Sequence, residues 1–305
     1  MSEFRLDSDL MEDSLMELIR KTHGDNTEIL SRVAVGGGDI NEAYRLQLTD
    51  GRTAFLKVNR SRGEEFFRAE ALGLAAIADT GAIGCPGVYG YGRDQSVGGA
   101  FLLMEDLESS SRCRDYWEEF AKNLALMHSA DTTSYVAGGR YGFVEDNYIG
   151  ATPQRNKAHG SWVDLFREER LAPQFEMCDK YFSSADRRSA DRLLTRLDDL
   201  LVEPDKGALI HGDLWSGNFI TGPDGKAWLI DPATYVGCAE ADIAMTELFG
   251  GFSPEFYEAY REYGVMMDGY EDRVELYNLY HLLNHLNLFG SGYLGSVMRI
   301  VKRYS

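Results

Sequence analysis

Basic residues are scarce in this chain: 31 lysines and arginines stand against 49 aspartates and glutamates, a formal net charge of −18 at pH 7. A surface of that sign repels nucleic-acid backbones and anionic membranes, so neither is an expected partner. Cysteine is equally sparse. Cys85, Cys113, Cys178 and Cys238 lie far apart with no CxxC pair, which fits reduced thiols better than a disulfide framework. No apolar run approaches the roughly 20 residues that cross a bilayer. The opening Met1-Ser2-Glu3-Phe4-Arg5-Leu6-Asp7 lacks the basic flank and apolar core of a signal peptide. A cytoplasmic location is expected. No internal repeat, low-complexity tract or His/Cys metal cluster stands out, and no glycine- or proline-rich linker divides the chain. What is present is ordinary for a globular protein: 305 residues, 44% hydrophobic and 26% charged, long enough for two lobes with separate cores.

The informative stretch is Leu209-Ile210-His211-Gly212-Asp213-Leu214-Trp215-Ser216-Gly217-Asn218-Phe219, followed by Trp228-Leu229-Ile230-Asp231-Pro232. An aspartate, an asparagine five residues on and a second aspartate eighteen residues after the first form the spacing of a phosphoryl-transfer site. One carboxylate, Asp213, receives the proton of an attacking hydroxyl. Asn218 and Asp231 would hold Mg²⁺ against the phosphates of ATP. Asp and Asn also populate loops as turn formers, but three ligand-type residues here coincide in order and spacing.

Upstream, the short β-rich runs Ile29 to Val35, Ala43 to Leu48 and Thr53 to Val58 predict strands, with Asp50-Gly51 as a hairpin turn. They follow an amphipathic helix over residues 10–22. Gly36-Gly37-Gly38 lacks GxGxxG spacing, yet its glycines let backbone N–H groups approach a triphosphate. A plain hairpin turn is the alternative. Lys57 arrives one hairpin later among Phe55, Leu56 and Val58, placed to meet the α- and β-phosphates. Residues 64–78 read as a helix with Phe67, Ala71, Leu74 and Ala78 on one stripe, and Glu70 beside that stripe could pair with Lys57. The apolar Ala100-Phe101-Leu102-Leu103-Met104 predicts a strand running into a hinge, where backbone groups near Glu105 and Leu107 would bond the adenine edge and Met104 would face it.

Thereafter the chain reads as mainly helical: 116–129, 162–171, 184–201 and most of the stretch after 240. Residues 138–160 form a polar loop rich in glycine and asparagine. Asp224-Gly225 predicts a hairpin into a strand carrying Asp231. His128 reads as a structural hydrogen-bonding residue. His281 and His285 stand four apart on a helix without an HExxH glutamate, which favours structural or substrate-lining roles over zinc. Trp215, next but one to Asp213, is placed to stack on a sugar ring or an amine cation, unless it is a buried structural tryptophan.

His211-Gly212-Asp213-x-x-x-x-Asn218 resembles the small-molecule branch of the protein-kinase-like fold, which includes aminoglycoside, choline and homoserine kinases. With Trp215-Ser216 inside the loop, the chain more narrowly resembles the fructosamine kinase (ketosamine-3-kinase) family. Gly36-Gly37-Gly38-Asp39-Ile40-Asn41, Phe55-Leu56-Lys57-Val58-Asn59, Asp231-Pro232-Ala233, Glu240-Ala241-Asp242-Ile243-Ala244, Phe249-Gly250-Gly251-Phe252 and Leu283-Asn284-His285-Leu286-Asn287-Leu288-Phe289-Gly290 resemble it too. The match runs from about residue 10 to the end. It implies an α+β, bilobal protein-kinase-like fold: an N-lobe over 1–105 with an antiparallel sheet and a larger, mainly helical C-lobe over 106–305. It implies ATP-dependent phosphorylation of a ketosamine hydroxyl (fructosamine, ribulosamine or erythrulosamine, free or on protein lysine) in deglycation. Substrate contacts fall to Asp213, Trp215 and His285. His211 supports the catalytic loop, and Asp242 resembles the position that braces it through backbone amides, the alternative being an N-cap. Two positions depart from the family. Asp39 stands where members often carry cysteine, so thiol control is not expected there, and Leu288 stands where many have a second histidine. The competing readings are another small-molecule kinase of this fold and a non-catalytic pseudokinase. The preferred ketosamine and the oligomeric state stay open.

Overall fold

The computed structural model describes residues 14–36 and 40–305. Helix α1 spans Leu15–His23; Ser14 and Glu17 form a reciprocal capping box at its start. The expected start at residue 10 lies outside the described residues. Strands β1 (Ile29–Val35), β2 (Glu42–Leu48) and β3 (Thr53–Asn59) follow, then α2 (Glu64–Asp79), β4 (Val88–Asp94) and β5 (Gly99–Glu105). They make one antiparallel sheet in the order β1-β2-β3-β5-β4.

Alternation along the strands separates two small cores. Ala54, Leu56, Val58, Phe101 and Leu103 pack with Leu15, Leu18 and Ile19 of α1. Ala100, Leu102 and Met104 point the other way and pack with Phe66, Phe67 and Ala71 of α2. Lys57 falls between Leu56 and Val58, so period 2 turns it toward α2. That is how a lysine in the middle of the sheet comes to meet a helix glutamate.

The second lobe begins with α3 (Tyr116–Ser129), and the short hairpin of β6 (Asn147–Ile149) and β7 (Thr152–Gln154) lies inside the expected polar loop. The loop is therefore tied down. Asn147, Gln154 and Asn156 are buried and bond one another, because buried amides need internal partners. The helix expected over 162–171 is divided: α4 (Trp162–Leu165) passes into a π-helical segment, Phe166–Leu171, and then into α5 (Ala172–Met177). After α6 (Ser184–Leu200) come β8 (Ala208–Ile210), β9 (Phe219–Thr221), β10 (Ala227–Leu229) and β11 (Tyr235–Gly237). β9 pairs with β10 and β8 with β11. Helices α7 (Ala239–Leu248), α8 (Pro254–Glu262), α9 (Val274–Phe289) and α10 (Leu294–Tyr304) complete the lobe. Its core includes an aromatic cluster of Trp117, Phe120, Phe219, Phe252 and Phe256 with ring centroids 5.0–6.4 Å apart. This packing holds the loop between β8 and β9 against the helices. Among the described residues no helix is long and apolar enough to cross a membrane.

Candidate active site

A cleft of about 570 Å³ is lined by residues of both lobes, within the range of small-molecule sites. Its walls include Gly36, Ile40, Lys57, Glu70, Met104, Glu105 and Leu107 from the sheet side, and Asp213, Trp215, Gly217, Asn218 and Asp231 from the other. Most of the residues singled out from sequence thus converge. Gly37 and Gly38 lie outside the described residues.

Lys57 Nζ lies 2.5 Å from Glu70 Oε1 and also contacts the carboxylate of Asp231. Burial works against the ammonium, yet Asp231 and Glu70 together raise its pKa above the ordinary lysine value. The lysine is held charged at the junction of the lobes. Asp231 is not on a strand: β10 ends at Leu229, and Asp231 adopts φ 55°. A left-handed aspartate is uncommon, and here it turns the carboxylate away from the strand direction toward Lys57. The apolar run up to Ile230 explains why the sequence pattern reads as strand there.

Asn218 donates from Nδ2 to the backbone oxygen of Asp213 at 2.9 Å and to its Oδ2 at 3.0 Å. Burial pushes the Asp213 carboxyl up to about 7; the Asn218 bond lowers it, and Asp231 and Asp242 add to the rise. His211 links the two halves of the site. Its Nε2 donates to the Ile230 carbonyl at 2.9 Å, since a carbonyl only accepts, which leaves Nδ1 to accept from the Asp213 amide at 3.2 Å. Burial lowers its pKa, in keeping with that neutral tautomer.

Asp242 sits in the first turn of α7, not at its N-cap, which is Cys238. Its carboxylate accepts from the amides of His211 at 2.7 Å and Gly212 at 2.8 Å, and from His128 Nε2 at 3.1 Å. Burial acts to raise this carboxyl, but the His128 bond, the neighbouring charges and the Gly212 amide leave it below the usual range. Gly212 has φ 81°, and a Cβ there would stand 2.2 Å from the Ala233 oxygen, so only glycine fits. His128 is structural, bonded to Asp242 and to the Tyr260 hydroxyl at 2.6 Å.

At the hinge, the Glu105 amide donates to the Gly87 carbonyl at 2.7 Å, and Asp106, next in the chain, pairs with Arg45 at 2.6 Å. Trp215 lines the cleft but is 40% exposed, not buried. A Cβ on Gly217 would lie 2.3 Å from the indole, so the missing side chain at 217 lets the ring lie over the catalytic loop. His285 is not among the lining residues; it reaches Trp215 only through Phe249, whose ring stands 5.0 Å from it and 6.5 Å from the indole.

Asn147 and Tyr148 also line the cleft, and the sequence reading missed them. Asn147 donates to the Thr234 carbonyl at 2.7 Å, tying the hairpin to the segment behind Asp231. The hints available were the length of the 138–160 loop, which favours a functional role, and its resemblance to the family's substrate-side insertion; neither picked out these two residues.

The oxygens of Asn218 and Asp231, facing one cleft beside a lysine, suit Mg²⁺, a hard cation that takes oxygen ligands and keeps several waters. The glycine-edged sheet, Lys57 and the hinge suit a nucleoside triphosphate. Fold and site together define a phosphotransferase of the protein-kinase-like class. The structure of choline kinase from Streptococcus pneumoniae overlays with a TM-score of 0.56 at 19% identity, over 94% of this chain and 97% of that one.

The closer comparisons are narrower. The family model described as fructosamine kinase matches residues 11–305. A probable ketoamine kinase of Synechocystis sp. is 39% identical, covering 95% of each chain. The chloroplastic protein-ribulosamine 3-kinase of Arabidopsis thaliana is also 39% identical, over 97% of this chain and 88% of that protein. A crystal structure of a candidate fructosamine-3-kinase from Haemophilus somnus superposes with a TM-score of 0.84 at 30% identity, over 95% of this chain and 96% of that one. The chain belongs to the fructosamine kinase family.

Proposed function

We propose that the protein is an ATP-dependent kinase that phosphorylates a sugar hydroxyl of ketosamines, free or on protein lysine. One observation carries the reading. Lys57 with Glu70, Asp231, Asn218 and Asp213 meet in a single cleft with Trp215 at its open side, in a chain whose family match spans residues 11–305. The lobe boundary falls between Glu105 and Asp106.

In this reading Gly36, Gly37 and Gly38 cover the triphosphate, Lys57 meets the α- and β-phosphates, and Glu70 holds the lysine there. Met104, Glu105 and Leu107 contact adenine. Asp213 orients the acceptor hydroxyl and takes its proton late, since the transition state is loose and needs little base strength. Asn218 and Asp231 hold magnesium, which when bound supplies neutralising charge at the migrating group. His211 and Asp242 fix the loop, while Trp215 and His285 serve the acceptor side. Four unpaired cysteines support a reducing compartment, and we place the protein in the cytoplasm.

The test is Mg²⁺- and ATP-dependent phosphorylation of a ribulosamine and a fructosamine, with choline and an aminoglycoside alongside, in wild type and Asp213→Ala. Ketosamine turnover that the substitution removes is the expected outcome. Turnover of another alcohol alone would discard the acceptor and keep the chemistry; ATP binding without any turnover would discard the enzyme.

A further inference from the structure

Beyond Trp215 the cleft continues into an exposed run of rings. Phe249 stands between the indole and His285, and His285 in turn meets Phe289 at 5.4 Å and Tyr293 at 5.1 Å. His285, Leu288 and Phe289 occupy the end of α9, where positions three and four apart share a face. Gly290, with φ 90°, reverses the chain so that Tyr293 closes on the same face. The turn reaches the cleft a second time. A Cβ on Gly150 would stand 3.6 Å from Leu288 Cδ1 and 3.5 Å from Ile40 Cδ1, and both Gly150 and Ile40 line the cleft.

This shelf stays open to water: Trp215 is 40% exposed, Phe249 42%, Leu288 37% and Phe289 59%. Contiguous apolar surface of that kind marks a contact site more often than chance exposure. Packing does not require it, because the exposed faces of these side chains touch no core. The phosphate chemistry does not use it either, since none of the four side chains carries charge.

We propose that the shelf takes the substituent on the acceptor's amine nitrogen, and that Phe249, Leu288 and Phe289 select ketosamines bearing apolar or aromatic substituents. This rests on the ketosamine reading above. A hydroxyl held at Asp213 leaves the amine nitrogen only a few carbons away, at the level of Trp215 and Phe249. Ring faces attract the ammonium, and the shelf beyond covers whatever the nitrogen carries. His285 Nδ1 donates to the His281 carbonyl at 2.7 Å and burial lowers the pKa of the ring, so near neutral pH it is uncharged and its Nε2 bears a lone pair. A carboxylate on the substituent therefore finds no cation among these residues, within a chain of net charge −18.

The experiment compares kcat/KM for ribulosamines made from benzylamine and from methylamine, in wild type, Phe249→Ala and Phe289→Ser. The benzyl adduct should be preferred by roughly tenfold in wild type, the scale of an apolar group gained in a pocket. Each substitution should erase most of that preference while the methyl adduct keeps its rate within about twofold. Phe289 is too exposed for its loss to leave a core cavity, so that variant stays folded and decides the matter if Phe249→Ala does not. No benzyl preference in wild type, or a preference unchanged in Phe289→Ser, overturns the proposal. So does an equal fall for both adducts, which marks a structural role. Wild type that phosphorylates neither adduct but accepts choline or an aminoglycoside overturns the ketosamine reading itself, a pattern distinct from the others.

Discussion

At the phosphate end of the cleft, Lys57 holds Glu70 and Asp231, Asn218 holds Asp213, and Asp242 holds two backbone amides. At the acceptor end, Trp215 and Phe249 meet edge to face and stand 40% and 42% exposed. The first end is organised before any ligand arrives, as electrostatic catalysis requires, since dipoles that must reorganise during reaction lose most of their effect. The second is a surface of rings with few polar constraints, which can change its selectivity without disturbing the chemistry. Substitutions at the two ends should therefore fail differently: loss of rate and stability at one, loss of acceptor affinity at the other.

The largest effect should come from Asp213→Ala. Removing the proposed proton acceptor is expected to lower kcat by roughly 10²–10⁴-fold, with nucleotide affinity kept, as measured by calorimetric titration beside the rate assay. An Asp213→Ala variant with near-normal kcat would dissolve the distinction between the ends. Next is Asp242→Ala. The carboxylate is 1% exposed, and its loss leaves two amides and His128 without an acceptor. A destabilisation of about 3 kcal/mol is expected, read as a fall in denaturant midpoint.

Gly217→Ala sharpens the comparison from the other side. The added Cβ would collide with the Trp215 indole at 2.3 Å and swing the ring out of the cleft. The acceptor KM should rise by about tenfold, the value of one good apolar contact, with KM for ATP unchanged. A parallel loss in both constants would mean that the change distorts the catalytic loop as a whole.

The same division governs what could be read from sequence. Asp213, Asn218 and Asp231 were legible because one short segment carries them at fixed spacing. Lys57 and Glu70 were legible because strand alternation and a helical stripe each predict a direction. Asn147 and Tyr148 were not, since they reach the cleft from a separate segment through tertiary packing that leaves no period. His285 shows the limit of resemblance: its position on α9 was expected, but its distance from the cleft wall depends on where Phe249 settles. The positive φ of Asp231 was hidden too, because the apolar residues before it fit a continuing strand equally well.

The last effect is one of stability with pH, and it is the most diagnostic of the phosphate end. Burial holds the Asp213 carboxyl at about 7, above the value near 3.9 of an unfolded aspartate. A carboxyl raised on folding binds its proton more tightly in the native state. It costs the fold nothing at low pH, where both states are protonated, and a growing amount as pH climbs from about 4 through 7. Without Mg²⁺ and nucleotide, wild type should therefore melt about 10 °C below Asp213→Asn at pH 8. That gap should narrow as pH falls and close near pH 4, where the neutral acid and the amide are equivalent in charge. Melting curves for the two proteins across that range provide the check. A gap independent of pH would place the carboxylate in water, and the phosphate end would then be no more organised in advance than the rings opposite.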